Sequence, residues 1–455
     1  MSDAKINSVL IKALKNITPS KTEINKDKKI LEEVFDLLKH ATPSDIQVVL
    51  VGSVAKGTQL KNKKDFDVFL LFPRKYSKPD LEKLGIEYGK KAFGKYPYKK
   101  AYAEHPYLKV NYKGYDIDVV PAYKINDIIE RGTAVDRSPL HSEYINSHLS
   151  FKQKNDVRLL KQFMKANGVY GAEIRVEGFS GYLCELLIVK YGSFINLIKN
   201  VQNWDIPICI DIENYNKKTE LPELYKKFSN PPIIVIDPVD NERNVSAVVS
   251  STSLSIFIFA SRRFLEKPNT SFFFKKRKKI TKHQLKKSIE NRQTDILVIK
   301  FKAPDLVEDT LWPQLRKTAV VLKNYFRKQG FEKFGYYYWS DEKECIIMFE
   351  FLISKLPGVV KYMGPRITQP ENVDKFIKSH KNALDIHIEH DYICAIEKRQ
   401  ICTIKEAFKS ATNSKIGIPK TFLPLIKKAK LMPKNTLIKN QYGEIAIEYF
   451  TRTIK

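Results

Sequence analysis

The chain has 455 residues, with 79 Lys+Arg against 51 Asp+Glu, a formal net charge of +28. Such an excess repels itself in a compact state and draws polyanions, nucleic acid first among them; with the length, it argues against a small-molecule acceptor. The length predicts about three domains of about 150 residues, and 43% apolar residues are enough for several buried cores. Residues 5–40 carry apolar side chains at helical spacing (Val9, Leu10, Ala13, Leu14, then Ile30, Leu31, Val34, Leu37, Leu38), with a turn at ITPSKTEINK between them. QVVLVGS (47–53) and DFDVFLLF (65–72) read as strands, and 79–93 as a helix. AYAEHPYLKVNY (101–112) and YDIDVVPAY (115–123) read as two more strands joined at Lys113-Gly114. Residues 155–200 turn helical. DVRLLKQFMKANG stops at Gly168, GYLCELLIVKYGSFINLIKN reads as one long helix, IIVIDPV (233–239) as a short strand and 241–266 as helix. FFFKKRKK (272–279) joins three aromatics to five basic residues. DILVIKFKAPD (295–305) reads as a strand, 309–330 as an amphipathic helix and 336–353 as a hairpin. The expected fold class is α+β, divided into 1–149, a mainly helical 150–265, and an α+β 266–455.

Cys184, Cys209, Cys345, Cys394 and Cys402 form no CxxC and are odd in number, which predicts buried free thiols in a reducing cytoplasm. His387, His390, Asp391 and Cys394 lie close together but match no zinc spacing, so they are expected in a solvated segment. The N-terminus lacks the pattern of a signal peptide. No stretch of about 18 residues is both uncharged and rich in large apolar side chains, so no membrane is expected.

GSVAKGTQLKNKKDFDVFLLF (52–72) carries the chemistry. Asp65 and Asp67, two apart on a strand, share a face and repel unless a cation lies between them. Mg²⁺ prefers carboxylate and phosphate oxygens, and two such ions about 4 Å apart would need a third carboxylate. Asp116 or Asp118 offers one, and spacing alone does not choose. Gly52 and Ser53 after a strand can present backbone N–H groups to phosphate, with Lys56 adding charge. No Walker or GxGxxG motif occurs in a usable context.

The GS…DxD spacing resembles the signature of polymerase-β-like nucleotidyltransferases. AEHPY (103–107), DIDVVPAY (116–123), AVDRSPLH (134–141), VRLLKQFMKANGVYGAE (157–173), GFSGYLCELLIVKYGSF (178–194) and DPVDNERNVSA (237–247) resemble the archaeal-type (class I) CCA-adding enzymes, in matching order over nearly residues 1–250. FKAPDLVEDTLWPQL and KYMGPRI extend the likeness. The resemblance implies a polymerase-β-like catalytic head with a mixed sheet, a helical neck, and an α+β body and tail that bind tRNA. It implies addition of C, C and A to tRNA 3′ ends from CTP and ATP without a nucleic-acid template, by two Mg²⁺ ions, in a cytoplasmic homodimer. Asp65, Asp67 and Asp118 would be the catalytic, metal-binding acids, Asp65 standing where many members have Glu. Ser53, Lys56, His141, Lys161 and Tyr170 would contact the nucleotide, Lys56 often being Arg in the family. Arg243 would read the incoming base. Each has a structural alternative: His141 as a helix cap, Lys161 on a solvated helix face, Tyr170 in packing, Arg243 paired with Asp240 or Glu242. His105 is a weaker nucleotide candidate. The alternative functions are a poly(A) polymerase-like RNA nucleotidyltransferase or a non-catalytic RNA-binding protein, the second disfavoured because all three acids are present.

Overall fold

Helix starts in this chain are set by side chains that satisfy the free N–H groups of a first turn. Ser20 accepts from Glu23 N while Glu23 reaches back to Ser20 N. The same reciprocal box recurs at Ser77/Asp80, Ser150/Gln153, Thr281/Gln284 and Thr403/Glu406. The computed structural model describes residues 3–102, 104–216, 221–274, 280–341, 343–438 and 442–450. They form two compact units that divide after residue 277.

In the first unit, α1 (Asp3–Ile17) and α2 (Lys21–Ala41) lead into β1 (Gln47–Val51), a one-turn helix α3 (Gly52–Ala55), β2 (Asp65–Phe72), α4 (Lys78–Phe93), β3 (Tyr98–Tyr102), β4 (Pro106–Tyr112) and β5 (Tyr115–Tyr123). The strands form one sheet in the order β1-β2-β5-β4-β3. Every pair is antiparallel except β2–β5, which is parallel. Alternate residues Phe66, Val68, Leu70 and Phe72 of β2, with Ile117 and Val119 of β5, pack against Ile30, Val34 and Leu38 of α2 and Leu81 and Phe93 of α4. The odd-numbered acids of β2 and the even-numbered acids of β5 therefore face the other way.

The chain continues through α5 (Arg137–His148), α6 (Phe151–Ala166), α7 (Gly181–Tyr191), α8 (Phe194–Val201), β6 (Ile208–Ile210), α9 (Leu221–Lys227), β7 (Ile233–Val235) and α10 (Ser251–Glu266), with β6 and β7 paired in parallel. Phe163 of α6 centres this core, its ring 5.6–6.3 Å from those of Phe194, Phe257, Phe264, Phe272 and Phe273. Ile6, Val9, Ala13 and Ile17 of α1 bury into the same core. Two of the three aromatics of FFFKKRKK are thus core residues; its basic residues, 275–279, lie outside the described residues.

Several local expectations are corrected. The turn after α1 is confined to 18–20, because the Ser20–Glu23 box starts α2 early. Residues 101–112 are not one strand but the hairpin of β3 and β4. Residues 181–200 are two helices bent by 91°, because Gly192 ends α7 in the left-handed region at φ +78°. No single described helix is long and apolar enough to cross a membrane. Helix is absent from 241–250, where turns carry polar side chains inward; it starts at Ser251 behind the Ser250 cap.

In the second unit, α11 (Lys282–Glu290), β8 (Asp295–Lys302), α12 (Glu308–Lys328), β9 (Lys333–Ser340), β10 (Glu344–Phe351), β11 (Val359–Arg366), α13 (Pro370–Ser379), β12 (Asp385–Glu389), β13 (Tyr392–Lys398), α14 (Ile404–Asn413), α15 (Leu423–Lys427), β14 (Lys430–Met432) and α16 (Gly443–Phe450) follow in order. They build two antiparallel sheets, β14-β8-β10-β9 and β11-β13-β12. The buried Glu350 of β10 is satisfied by Thr294 Oγ1 at 2.6 Å, Tyr449 Oη at 2.7 Å and Arg292 Nη1 at 2.9 Å. The segment expected to be solvated around His387 is the β12–β13 pair. His387 lies opposite Cys394, and ligand atoms of His387, Glu389 and Cys394 lie within 4.8 Å of one another. Glu389 is also ion-paired with Lys361. All five cysteines are free. Cys184, Cys345 and Cys394 are buried as expected, whereas Cys209 and Cys402 are only partly so.

Gly192→Ala should cost about 1 kcal/mol, from the left-handed backbone alone, since a Cβ there meets nothing within 4 Å. Denaturant unfolding of the first unit measures it.

Candidate nucleotide and metal site

The parallel register of β2 and β5 sets Asp65 beside Asp116 and Asp67 beside Asp118, so four carboxylates share one face. Burial, then the charges of Asp118 and Asp65, push the Asp67 carboxyl above its ordinary value. Burial also raises Asp118, with Asp65 and Asp116 adding to it and Lys109 opposing. Asp118 Oδ1 is buried with no hydrogen bond, Lys109 Nζ standing 3.5 Å away. The exposed Asp116 instead accepts from Asn111 Nδ2 at 3.1 Å, and Asp65 pairs with Lys63 at 3.2 Å. Crowded like charges with an unsatisfied oxygen fit a divalent cation.

The glycine explains itself at this point. Val51 pairs with Asp67 across β1–β2, so the next residue turns over that carboxylate. Gly52 has φ +75°, and a Cβ on it would lie 2.0 Å from Asp67 Oδ2. Ser53 follows in α3, half-buried, its carbonyl accepting from Thr58 N at 2.9 Å.

Lys56 and Lys161 meet on one carboxylate that sequence reasoning missed. Glu185 of α7 is fully buried. It accepts from Lys56 Nζ, from Lys161 Nζ at 2.8 Å and from Thr58 Oγ1 at 2.6 Å. Lys161 is therefore buried, not on a solvated helix face. Burial would raise the Glu185 carboxyl, but the two lysines outweigh it and hold it at about 2. Arg158 of α6 completes the clamp, donating to Gly57 O at 2.6 Å and Gln59 O at 2.9 Å. Tyr170, half-buried, comes to the same place: a Cβ on Gly181 would sit 3.3 Å from its Oη and 3.6 Å from Lys161 Nζ.

Asp237 is the second missed hub. Its buried carboxylate accepts from Arg243 Nη1 at 2.7 Å and Tyr182 Oη at 3.0 Å, and lies 2.9 Å from His141 Nε2. Burial would raise it; His141 and Arg243 hold it at about 2. Burial keeps the His141 imidazole below its ordinary value against the pull of Asp237. His141 is inside α5, not a cap, and stacks on Tyr182 at 4.0 Å; Lys56 Nζ lies 5.6 Å from the same Tyr182 ring. Arg243 pairs with neither neighbour expected of it. Asp240 is engaged by Arg137 at 2.8 Å and Arg131 at 2.9 Å, and Glu242 by Lys227 at 2.9 Å. His105 is buried with Nε2 2.7 Å from Pro121 O, which supports a structural place for it.

The signal for Glu185 was present: one acid in the apolar run GYLCELLIVKY must find a buried partner. Gly52→Ala should weaken Mn²⁺ binding by tenfold or more, about 1.4 kcal/mol, by displacing Asp67; calorimetric titration reads this directly.

The nucleotidyltransferase domain family matches residues 28–144, the second domain of tRNA nucleotidyltransferase 155–274, and the C-terminal domain of the CCA-adding enzyme 292–429. The CCA-adding enzyme of Archaeoglobus fulgidus is 38% identical over 407 residues, 89% of each chain. That of Methanocaldococcus jannaschii is 35% identical over 432 residues, 92% of this chain and 94% of its own. Among solved structures, the Cid1 poly(U) polymerase aligns over 60% of this chain and 99% of its own, with 16% identity and a TM-score of 0.49. On its three matched domains and on relatives of this identity over nearly its whole length, the chain belongs to the CCA-adding enzyme family.

Proposed function

We propose a division of labour by which this chain performs CCA addition to tRNA. Asp65, Asp67 and Asp118 would hold two Mg²⁺ ions, whose oxygen preference the crowded carboxylates and the unsatisfied Asp118 Oδ1 suit. When bound, the ions supply a lowered pKa to the attacking hydroxyl and neutralise charge on the triphosphate. Ser53, Lys56, Lys161 and Tyr170 take the triphosphate of CTP or ATP. The tRNA 3′ hydroxyl attacks the α-phosphorus in line, and pyrophosphate leaves from the lysine side. The residues position and stabilise charge rather than react covalently.

His141 and Arg243 face the base. Phosphate contacts cannot tell C from A, so discrimination rests on the base edge and on the RNA end. Arg243 only donates; it matches acceptors on cytosine (O2, N3) and adenine (N1), whereas uracil N3–H and guanine N1–H oppose it. An unpaired donor in a dry pocket costs about 1–3 kcal/mol. Residues 1–149 act as head, 150–265 as neck and 266–455 as body and tail, gripping tRNA by backbone and shape, as suits an enzyme that accepts every tRNA. A cytoplasmic homodimer completes the reading.

The observation that supports this best is the placing of Asp67 and Asp118 side by side under Gly52, four residues before Lys56. Single-nucleotide incorporation on three synthetic tRNA ends tests it. CMP should enter on ends lacking CCA or bearing one C, and AMP only after two. Addition of A to every end, or of A runs, would mark a poly(A)-type activity instead. Asp67→Ala should abolish both additions and leave tRNA binding intact, since removing an acid only raises the positive field. Arg243→Ala should lose CTP and ATP use and accept UTP or GTP relatively better. Full rate and full preference in that variant would remove the base-reading role.

A further inference from the structure

The division of labour above gives no task to the buried carboxylate on which its two lysines meet. Glu185 lies on α7 between Leu183, Cys184, Leu186 and Leu187, all fully buried. A carboxylate is held there only by what it binds, and it binds two ammonium groups and a hydroxyl: Lys56, Lys161 and Thr58. Lys56 and Thr58 come from the segment after β1, Lys161 from α6. Two cations on one anion leave a positive charge in excess. Arg158, spent on backbone carbonyls of the same segment, adds another. Uncompensated buried charge is costly, so the cluster is built to receive a further anion.

The pair would not stand without the carboxylate. Two ammonium groups at this separation repel, and burial drives Lys161 towards its neutral form; Glu185 opposes that while Lys56 adds to it. Tyr170 Oη and Lys161 Nζ converge at Gly181, and Lys56 Nζ sits against Tyr182. The groups around the two lysines are thus Glu185, Thr58, Tyr170, Tyr182 and the thiol of Cys184, with Asp67 and His141 also within electrostatic reach of Lys56.

We propose that Glu185 is a positioning residue, which holds Lys56 and Lys161 together so that both act on the triphosphate of whichever nucleotide is bound. The proposal rests on the reading of these lysines as triphosphate contacts. It separates the site into two sides. Glu185 governs phosphate affinity alike for CTP and ATP, and Asp237, through Arg243 and His141, governs the base.

The test uses full-length E185Q and E185D, with CMP addition to tRNA lacking CCA and AMP addition to tRNA ending in CC. Gln keeps one acceptor but turns an amide N–H₂ towards an ammonium group. E185Q should raise KM for CTP and ATP by the same factor, about tenfold or more, with kcat changed less than about threefold and the C, C, A order intact. E185D, which keeps the charge but is one methylene short of Lys56 and Lys161, should recover only part of the loss and bind triphosphate measurably more weakly than wild type. A fall in kcat at unchanged KM, or an effect on one nucleotide only, would overturn the proposal, as would wild-type KM values in a merely less heat-stable protein. Should E185Q fail to fold, protection of E185D against thermal unfolding by inorganic triphosphate decides: weaker than wild type supports the role, equal overturns it. K56Q and K161Q in the same assay separate the two failures. KM raised in both but normal in E185Q removes only the positioning role; KM normal in both removes the triphosphate reading itself.

Discussion

One pairing decides the chemistry of this fold: β2 runs parallel to β5 inside an otherwise antiparallel sheet. Parallel register brings Asp67 level with Asp118 and Asp65 level with Asp116, all on the face turned away from α2 and α4. An antiparallel pairing would carry one acid pair to the far end of its neighbour. The repulsion so created is held in place by the apolar face behind it, where Phe66, Val68, Ile117 and Val119 are fully buried. Such stored repulsion is what a divalent cation relieves.

On the proposed reading, the acids alone would account for metal binding and not for the nucleotide. The first unit adds a second layer, in which charged side chains from the helices reach across to the segments at the sheet's edge. Glu185, Lys161 and Arg158 fix residues 56–59; Asp240 takes Arg131 and Arg137; Asp237 takes His141. All but the exposed Arg131 are buried or half-buried, and each is satisfied by a partner distant in sequence. Such pairs add less to net stability than to uniqueness of arrangement, because breaking one strands its partner in a dry place.

How much of this was legible in the sequence follows from the range of each signal. Strand alternation and the D-x-D spacing are local, so DFDVFLLF and its two acids could be read directly, and so could the YDIDVVPAY strand. The choice between Asp116 and Asp118 was not readable from spacing, since it depends on register with another strand. The α7–α8 bend was missed because GYLCELLIVKYGSFINLIKN keeps its apolar character through Gly192. The turns at 237–250 were missed because VSAVVSSTSLSIFIFA continues the apolar run backwards past its true start. Lys161 was read as a contact or a solvated face. It is neither exposed nor alone, and only its long-range partner Glu185 shows why.

The place of α1 carries a consequence for how the molecule is made. Residues 3–17 leave the ribosome before the sheet, yet Ile6, Val9, Ala13 and Ile17 bury in the core that holds Phe163, Phe257 and Phe273, not in that of the sheet that follows them. Chains emerge from the N-terminus at about 5–20 residues per second. The first helix therefore waits for α6 (Phe151–Ala166), against which it mainly packs, and then for Phe272 and Phe273, before its apolar stripe is covered. The sheet with its four acids emerges in the interval, ahead of the helical layer that carries Lys161 and Glu185.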